Sequence, residues 1–350
     1  MSTFPTLAVY GASGHTGRFV VQEAQRRGLA VVAVGRDAAR LAAAAPGAVA
    51  RREAGLDEPE RLAQAFAGCD VVIHTAGPFM DTAEPVALAA LRAGCHCIDV
   101  TAEQPSALAT LAHLDAPARA AGRVVLPAAG FYGGLADLLA TAVVQPGAPV
   151  DEVTVATALD HWWPTEGTRL TGARNTAPRQ VVEQGRLVPL GAAAGAAAGA
   201  AADAAADADA PDWLFGEPLG HQPMVALPFS EVVTLHHHLP VRRIRSLLNR
   251  AALDDVRRPD TPAPAAVDAS GRSAQRFEMV VQVRQGGGVQ EARARGQDIY
   301  AVTAPLVVEA AQRLLAARPV PGGARVLGQV VDARAMLQAL HGARALEVAL

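Results

Sequence analysis

Short runs of β-branched and aliphatic residues recur through the first 130 positions, each followed by an Ala-rich stretch whose apolar positions have helical spacing. The runs predict strands at 6–10, 30–35, 48–52, 70–75, 96–100 and 123–127. The stretches between them predict helices at 15–27, 37–44, 58–67, 82–93 and 104–120. Six strands alternating with helices are the pattern of a doubly wound parallel sheet. After Gly130 the texture changes. Residues 153–157 and 277–283 read as strands, and Gly286, Gly287 and Gly288 turn the second of these back into 289–295 as a hairpin.

The expected fold class is therefore α/β. An N-terminal Rossmann domain, a doubly wound parallel sheet, occupies residues 1–130, and a second α+β domain on a mainly antiparallel sheet occupies 131–299. Residues 300–350 form a C-terminal return segment. Within it, 300–305 leads into an amphipathic helix over 306–316, followed by Pro319, Pro321 and a Gly-Gly stop. This helix, near 302–317, is expected to pack back on the nucleotide-binding domain. Residues 192–210, almost wholly Ala, Gly and Asp, form a low-complexity insertion with nothing large to bury, and 258–264 reads as a linker-like loop.

Composition narrows the chemistry. Half of the residues are hydrophobic but only 4% are aromatic, so the cores must be built from Ala, Val and Leu, as in parallel sheets covered by helices. A net charge of −3 without a long basic run makes nucleic acid an unexpected partner. No uninterrupted apolar run reaches the roughly 18 to 20 residues of a bilayer span, so no membrane span is expected. The start Met1-Ser2-Thr3-Phe4-Pro5 lacks the pattern of a signal peptide, and a cytoplasmic location is expected. Cys69, Cys95 and Cys97 lack metal-ligand spacing and fit buried, reduced thiols. All 31 basic residues are arginines. Schiff-base chemistry and the Tyr-x-x-x-Lys pair of short-chain dehydrogenases are thereby excluded.

Between the first strand and first helix stand Gly11, Gly14 and Gly17, with Ser13, His15 and Thr16 among them. Gly11 permits a tight turn, Gly14 admits a pyrophosphate to backbone N–H groups, and Gly17 allows the helix to pack on the strand. The second strand ends Val34-Gly35-Arg36, where NAD enzymes present a carboxylate to the ribose. Gly35 leaves room for a 2′-phosphate that Arg36, and Arg40 one turn later, can pair with, so the expected cofactor is NADP(H). Asp37 reads as a helix cap. Asp57 either accepts from the adenine amino group or caps the helix near Glu58. The fourth strand runs into Thr75, Ala76, Gly77 and Pro78, expected against the nicotinamide ribose, and then Phe79, expected on the substrate side.

The fifth strand brings Asp99 and Glu103 to the same edge. They are candidates for acid/base work and substrate binding; the alternative is hydrogen bonding to loop backbone or capping near Pro105. The segments GASGHTG, AVGR, TAGPF, GCHCIDVTAE and AAGFYGGLAD, in this order through residues 6–144, resemble the saccharopine dehydrogenase-like oxidoreductases, the group that includes saccharopine reductases and trans-acting enoyl reductases. The resemblance implies an NADP-dependent reductase acting on a C=N or activated C=C bond, its substrate held between a Rossmann domain and an α/β second domain. Relatives commonly carry Gly-Phe-Asp-Ser-x-Pro-Ser-Asp where this chain has 130–137, and Asn where His74 stands.

In the second domain Tyr132 is a candidate proton donor or orienting hydroxyl, or else an aromatic that packs. His161, Trp162, Trp163, Thr168 and Arg169 form a candidate pocket wall. In it His161 would donate a proton and Arg169 would bind a carboxylate or thioester carbonyl; the alternative is an interface loop. His236, His237 and His238, with alternate residues sharing a face on a strand, lack a completing carboxylate or thiol, so no metal is expected. The rival to a reductase with a small-molecule substrate is a non-catalytic NADP(H)-binding regulator or scaffold. An exposed antiparallel sheet would offer a homodimer surface.

Overall fold

A computed structural model describes residues 5–191, 209–316 and 320–350. Of the low-complexity tract 192–210 only residues 209 and 210 are thus described, and Pro319 lies outside the described residues. The chain divides into two compact units, one from the described residues of Met1–Phe131 and Thr303–Val331, the other from those of Tyr132–Val302 and Asp332–Leu350. The expected C-terminal return segment, 300–350, is therefore shared between the two.

In the first unit β1 (Thr6–Tyr10), β2 (Ala30–Gly35), β3 (Ala50–Glu53), β4 (Val71–His74), β5 (His96–Asp99) and β6 (Val124–Leu126) follow the expected alternation with helices. They form a parallel sheet in the order β6-β5-β4-β1-β2-β3, with a seventh strand, Gly323–Ala324, beside β6. Leu7, Ala8, Val9, Val71, Val72 and Ile73 are all inaccessible to solvent, as strands covered on both faces require. On one face, the core holds Tyr10, Val34, Leu62, Phe66 and Val86 together with the three cysteines. Burial raises all three thiols, that of Cys95 to about 12. The strand order reverses between β1 and β4, whose last residues, Tyr10 and His74, lie side by side. That crevice at the carboxyl edge is where open α/β sheets bind ligands.

Helix boundaries depart from the expectations for local reasons. The helix expected over 104–120 is two, Gln104–His113 and Asp115–Ala121. Pro117 has no N–H to offer the carbonyl of His113, and the helix breaks there, after His113. The helix expected from 306 starts at Ile299 and carries Pro305 inside it. Asp298 accepts from the N–H groups of Tyr300 (3.0 Å) and Ala301 (3.1 Å), which fixes that earlier start. By length and composition this helix, Ile299–Ala316, could cross a membrane, against the sequence expectation. Two-thirds of it (67%) is buried inside the protein, and a core helix passes the same test. In the first unit Arg27 reaches it, pairing with Glu309 and donating to Gln312 at 2.8 Å. The expected Gly-Gly stop is instead the seventh strand. A Cβ at Gly322 would lie 2.9 Å from Ala118 O, so the close approach to β6 depends on its being glycine.

The second unit is built on β7 (Val150–Leu159), β8 (Gln180–Glu183), β9 (Arg186–Pro189), β10 (Asp209–Leu214), β11 (His221–Ala226), β12 (Val241–Asn249), β13 (Arg276–Gln285) and β14 (Gly288–Gln297), with a short last strand, Glu347–Ala349. Its main path runs β10-β11-β12-β7-β13-β14 and then 347–349, while β8 pairs with β12 and β9 with β8. Only β12 and β7 pair in parallel, so the sheet is mixed but mainly antiparallel. The expected β13–β14 hairpin is present, closed by Gly286 and Gly287. The three consecutive histidines, read from the sequence as a strand, end a helix, Glu231–His238. There His238 is paired at 2.6 Å with the buried Asp137.

Candidate functional site

At the head of the first unit, Gly11 takes φ +85°, a conformation an L side chain resists, and its N–H donates to Val34 O at 2.9 Å. A Cβ at Gly17 would overlap Gly11 O and lie 2.9 Å from Ala12 Cα. The helix His15–Arg26 can therefore rest on the turn only because residue 17 has no side chain. Gly14 is its N-cap and has no side chain to cap it, and no acidic residue stands in its first turn. The positive end of the helix dipole at this terminus favours an anion. Ser13, His15 and Thr16 are half-buried around this end, and the His15 ring rests edge-on against Phe19 at 5.3 Å.

Arg36 and Arg40 are both exposed just past the end of β2. Asp37 caps the next helix, accepting from Arg40 N at 2.9 Å, and so is engaged away from any ribose. Gly35 is buried against Leu41. Asp57 does not cap the helix Pro59–Phe66, whose N-cap is Glu58 and has no side-chain hydrogen bond. Its carboxylate instead hangs exposed over Gly55, where a Cβ would collide with it. Of the two readings of Asp57, the cap is the one the geometry removes. Tyr10, between the charges of Arg36 and Asp57, has its phenol raised by burial.

After β4 the loop of Thr75, Ala76, Gly77 and Pro78 is half-buried and pinned from beneath. Thr75 Oγ1 donates to Tyr10 O at 3.0 Å. His74, fully buried, accepts from Ala76 N through Nδ1 (3.3 Å) and meets Thr82 Oγ1 through Nε2 (2.9 Å). Because the Thr82 hydroxyl donates to Ala76 O and Pro78 O, the imidazole must donate to it, and burial lowers its pKa to about 3. A neutral His74 therefore shapes this loop.

Glu103 is 1% exposed and both its oxygens are engaged, by Phe79 N (2.7 Å) and Met80 N (3.3 Å). It caps not a helix near Pro105 but Phe79–Arg92, which for that reason begins three residues before the expected 82. Phe79, expected beside substrate, is 8% exposed and packed on His74 at 4.9 Å. Asp99 accepts through Oδ1 from Thr101 N (3.0 Å) and Ala128 N (2.8 Å), and burial raises its pKa to about 6 against those two bonds. Both carboxylates thus hold the loops around the edge of the sheet, the alternative to acid/base work that the sequence left open.

Residues 11–104 match a protein-family model described as NAD(P)H-binding. The first unit is an NAD(P)-binding Rossmann domain. No curated protein sequence is significantly similar to the chain. Among solved structures, the apo saccharopine dehydrogenase (L-Glu forming) of Saccharomyces cerevisiae superposes with a TM-score of 0.65 over 99% of each chain, at 13% identity. The fold is therefore that of saccharopine dehydrogenase. The NADP(H) complex of a Citrobacter sp. triphenylmethane reductase is 25% identical over 35% of this chain and 48% of that one, with a TM-score of 0.29. The WlbA dehydrogenase of Thermus thermophilus, solved with NAD and UDP-GlcNAcA, is 13% identical over 96% and 94%, with a TM-score of 0.43.

In the second unit, beyond the Rossmann domain, Tyr132 is stacked on Phe229 at 4.1 Å and lies 5.6 Å from Trp162. Burial raises its phenol well above the usual range, so it holds its proton throughout the neutral range. Trp162, 5% exposed, donates from Nε1 to Tyr300 Oη at 3.1 Å, and Thr168 Oγ1 meets the same hydroxyl at 2.9 Å. The Arg169 guanidinium, assigned from the sequence to a substrate, donates to Arg258 O (3.3 Å) and Thr261 O (2.6 Å), tying down the 258–264 loop. His161 is exposed, stacked on the half-buried Trp163 at 5.2 Å, with Nδ1 3.6 Å from Asp255. The predicted wall thus splits. Tyr132, Trp162 and Thr168 meet around Tyr300 and Phe229, while His161, Trp163 and Arg169 face the loop side.

Sequence reasoning missed Glu231, Arg179, Phe229 and Tyr300. Glu231 is 1% exposed and accepts through Oε1 from Phe229 N at 2.9 Å and from the Ser246 hydroxyl. Burial raises its pKa to about 7. The Arg179 guanidinium lies over the Phe229 ring, 5.0 Å from its centre, and donates to Pro228 O at 2.7 Å. Tyr300, at the start of the C-terminal segment, is the hub of the Thr165, Thr168 and Trp162 hydrogen bonds. No spacing motif links these positions; only the Glu at the head of an apolar run hinted at a helix start. Among the described residues no group of three or more His, Cys, Asp or Glu stands close enough to hold a metal.

Proposed function

We propose that the chain is an NADP(H)-dependent reductase that transfers a hydride to a C=N or activated C=C bond of a small molecule. The observation that carries the cofactor choice is the end of β2. The slot that an NAD enzyme fills with a carboxylate is Gly35 followed by Arg36, and the nearest carboxylate, Asp37, is spent on a helix cap. Gly11, Gly14 and Gly17, with the uncapped helix end, would hold the pyrophosphate. Arg36 and Arg40 would pair with the 2′-phosphate, Asp57 would accept from the adenine amino group, and the 75–78 loop would line the nicotinamide ribose. The bound dihydronicotinamide supplies the hydride.

The C=N or C=C assignment rests on the motif resemblance and on the absence of any lysine, which removes the Tyr-Lys route to alcohols. The test pairs calorimetric titration with NADPH and NADH with a screen of cyclic imines and enoyl thioesters, read by loss of NADPH absorbance. Preference for NADPH and turnover of one substrate class is the expected result. Equal affinity for the two cofactors would remove the 2′-phosphate argument. Tight NADPH binding with no turnover across the panel would favour the regulator.

A further inference from the structure

One side of the sheet in the second unit is covered. Val153 and Val155 of β7 and Val281 and Val283 of β13 are essentially inaccessible, and the helix Glu231–His238 reaches Ser246 of β12 through Glu231. Alternate positions point to the opposite side. Toward one end of that side Ala156, Ala158, Val280 and Leu247 lie in a cluster with Phe215 and Leu219. Toward the other end the side is open, and the registers set two rows of side chains across four adjacent strands. The first row is Arg243 (β12), Glu152 (β7), Arg284 (β13) and Val289 (β14), and the second is Arg245, Thr154, Gln282 and Glu291. Val289 is 53% exposed, and the side chains of Arg243 and Arg245 are 42% and 47% exposed. Arg284 is exposed, and its guanidinium has no partner among the described residues. A hollow of about 230 Å³ between Glu152, Arg243 and Arg284 opens at this end.

We propose that two copies of the chain pair through this open end of the sheet, face to face about a two-fold axis that runs parallel to the strands between β7 and β13. Such an axis keeps each row at its own level and reverses its order. In the first row Glu152 then meets Arg284 of the second copy, Arg284 meets the second copy's Glu152, and Arg243 lays its aliphatic stem on Val289. In the second row Arg245 meets Glu291 and Thr154 meets Gln282. Every charged residue of the two rows faces an opposite charge or a neutral group, and none faces its own sign.

The pattern of charge selects the axis as well as the partner. A two-fold lying across the strands, between the rows, would set Arg243 on Arg245 and Arg284 on Gln282, and like charges placed opposite one another suppress an interface. Sheets that pack face to face stand about 10 Å apart, a gap that arginine and glutamate side chains reaching from both sides can close. Within its own chain Glu152 leans toward β12, 3.5 Å from Arg245 Nε and 3.8 Å from Arg243 Nη1, while Arg284 has nothing to pair with. The second copy supplies what Arg284 lacks. Few apolar groups stand in the two rows, so the association is governed by charge and weakens as salt screens it. It rests on no reading of the reaction.

Sedimentation velocity of the full-length protein at micromolar concentration tests the pairing. In low salt the wild type should sediment as a dimer, and it should dissociate as NaCl is raised toward about 1 M, where the screening length falls to about 3 Å. Arg284→Glu and Glu152→Arg, each checked for an unchanged circular dichroism spectrum, should be monomeric, with the dissociation constant raised by about 100-fold or more, because either homodimer sets the pair against its own sign twice. Mixed in equal amounts, the two variants should form a dimer again, since both pairs are then of opposite sign. Arg245→Glu mixed with Glu291→Arg repeats the test on the second row, and it replaces the first mixture where Glu152→Arg does not fold. A monomeric wild type, single variants that dimerise as the wild type does, or folded monomeric variants that recover no dimer on mixing would each overturn the proposal.

Discussion

A methyl group at Gly17 would have to occupy the place of the Gly11 carbonyl oxygen. Gly17→Ala should therefore push the first helix off the dinucleotide turn, costing about 1 to 3 kcal/mol of stability by thermal or urea unfolding and weakening NADPH further. Wild-type stability and affinity in that variant would contradict the packing. Arg36 makes a different argument, since it is exposed and the fold does not depend on it. Arg36→Ala should weaken NADPH by about 10- to 100-fold, the worth of a charge-assisted bond, and leave NADH nearly unchanged. Both residues are legible in sequence because strand, turn and helix follow in a fixed local order. Glu231 is not, because what makes it unusual is its burial against Ser246, 15 residues away on another element.

Elements were legible where their cause is local. All six strands of the nucleotide domain and the β13–β14 hairpin follow from alternating runs and turn residues. What was not legible came from distant partners. The helix Phe79–Arg92 starts where Glu103, 24 residues on, supplies its cap. The seventh strand is two residues long and exists because two glycines admit it beside β6. Glu103→Ala would strip Phe79 N and Met80 N of their acceptor. It should lower stability by about 0.5 to 2 kcal/mol, and disorder in the 75–79 loop should weaken NADPH as well. A change in stability alone, with cofactor affinity untouched, would separate the cap from the cofactor loop.

At the scale of the whole molecule, two buried carboxyls have folded pKa values above their ordinary ones. Glu231 moves from 4.5 to about 7, and Asp99 from 3.8 to about 6. For each, the folded state holds the proton more tightly, so its contribution to stability is complete below the ordinary value and is lost as pH rises through the folded one. Between about pH 4.5 and pH 7 Glu231 alone accounts for a loss on the order of 3 kcal/mol. Urea unfolding should therefore show Glu231→Gln with a flatter stability profile than wild type across that window, and parallel profiles would contradict the raised pKa. Glu23 works in the opposite direction, its carboxyl lowered by Arg26 and Arg27 against its own burial, so its share is lost on the acid side. None of this pH behaviour can be read from composition, because it depends on which carboxyls the fold encloses.

We propose that the Rossmann unit selects NADP(H) through Arg36 and Arg40, and calorimetric titration of the purified full-length protein with NADPH and NADH side by side tests this most directly. NADPH should bind at least about ten times more tightly than NADH, with the difference abolished in Arg36→Ala. Equal binding of the two by the wild type, or binding of neither, would contradict it.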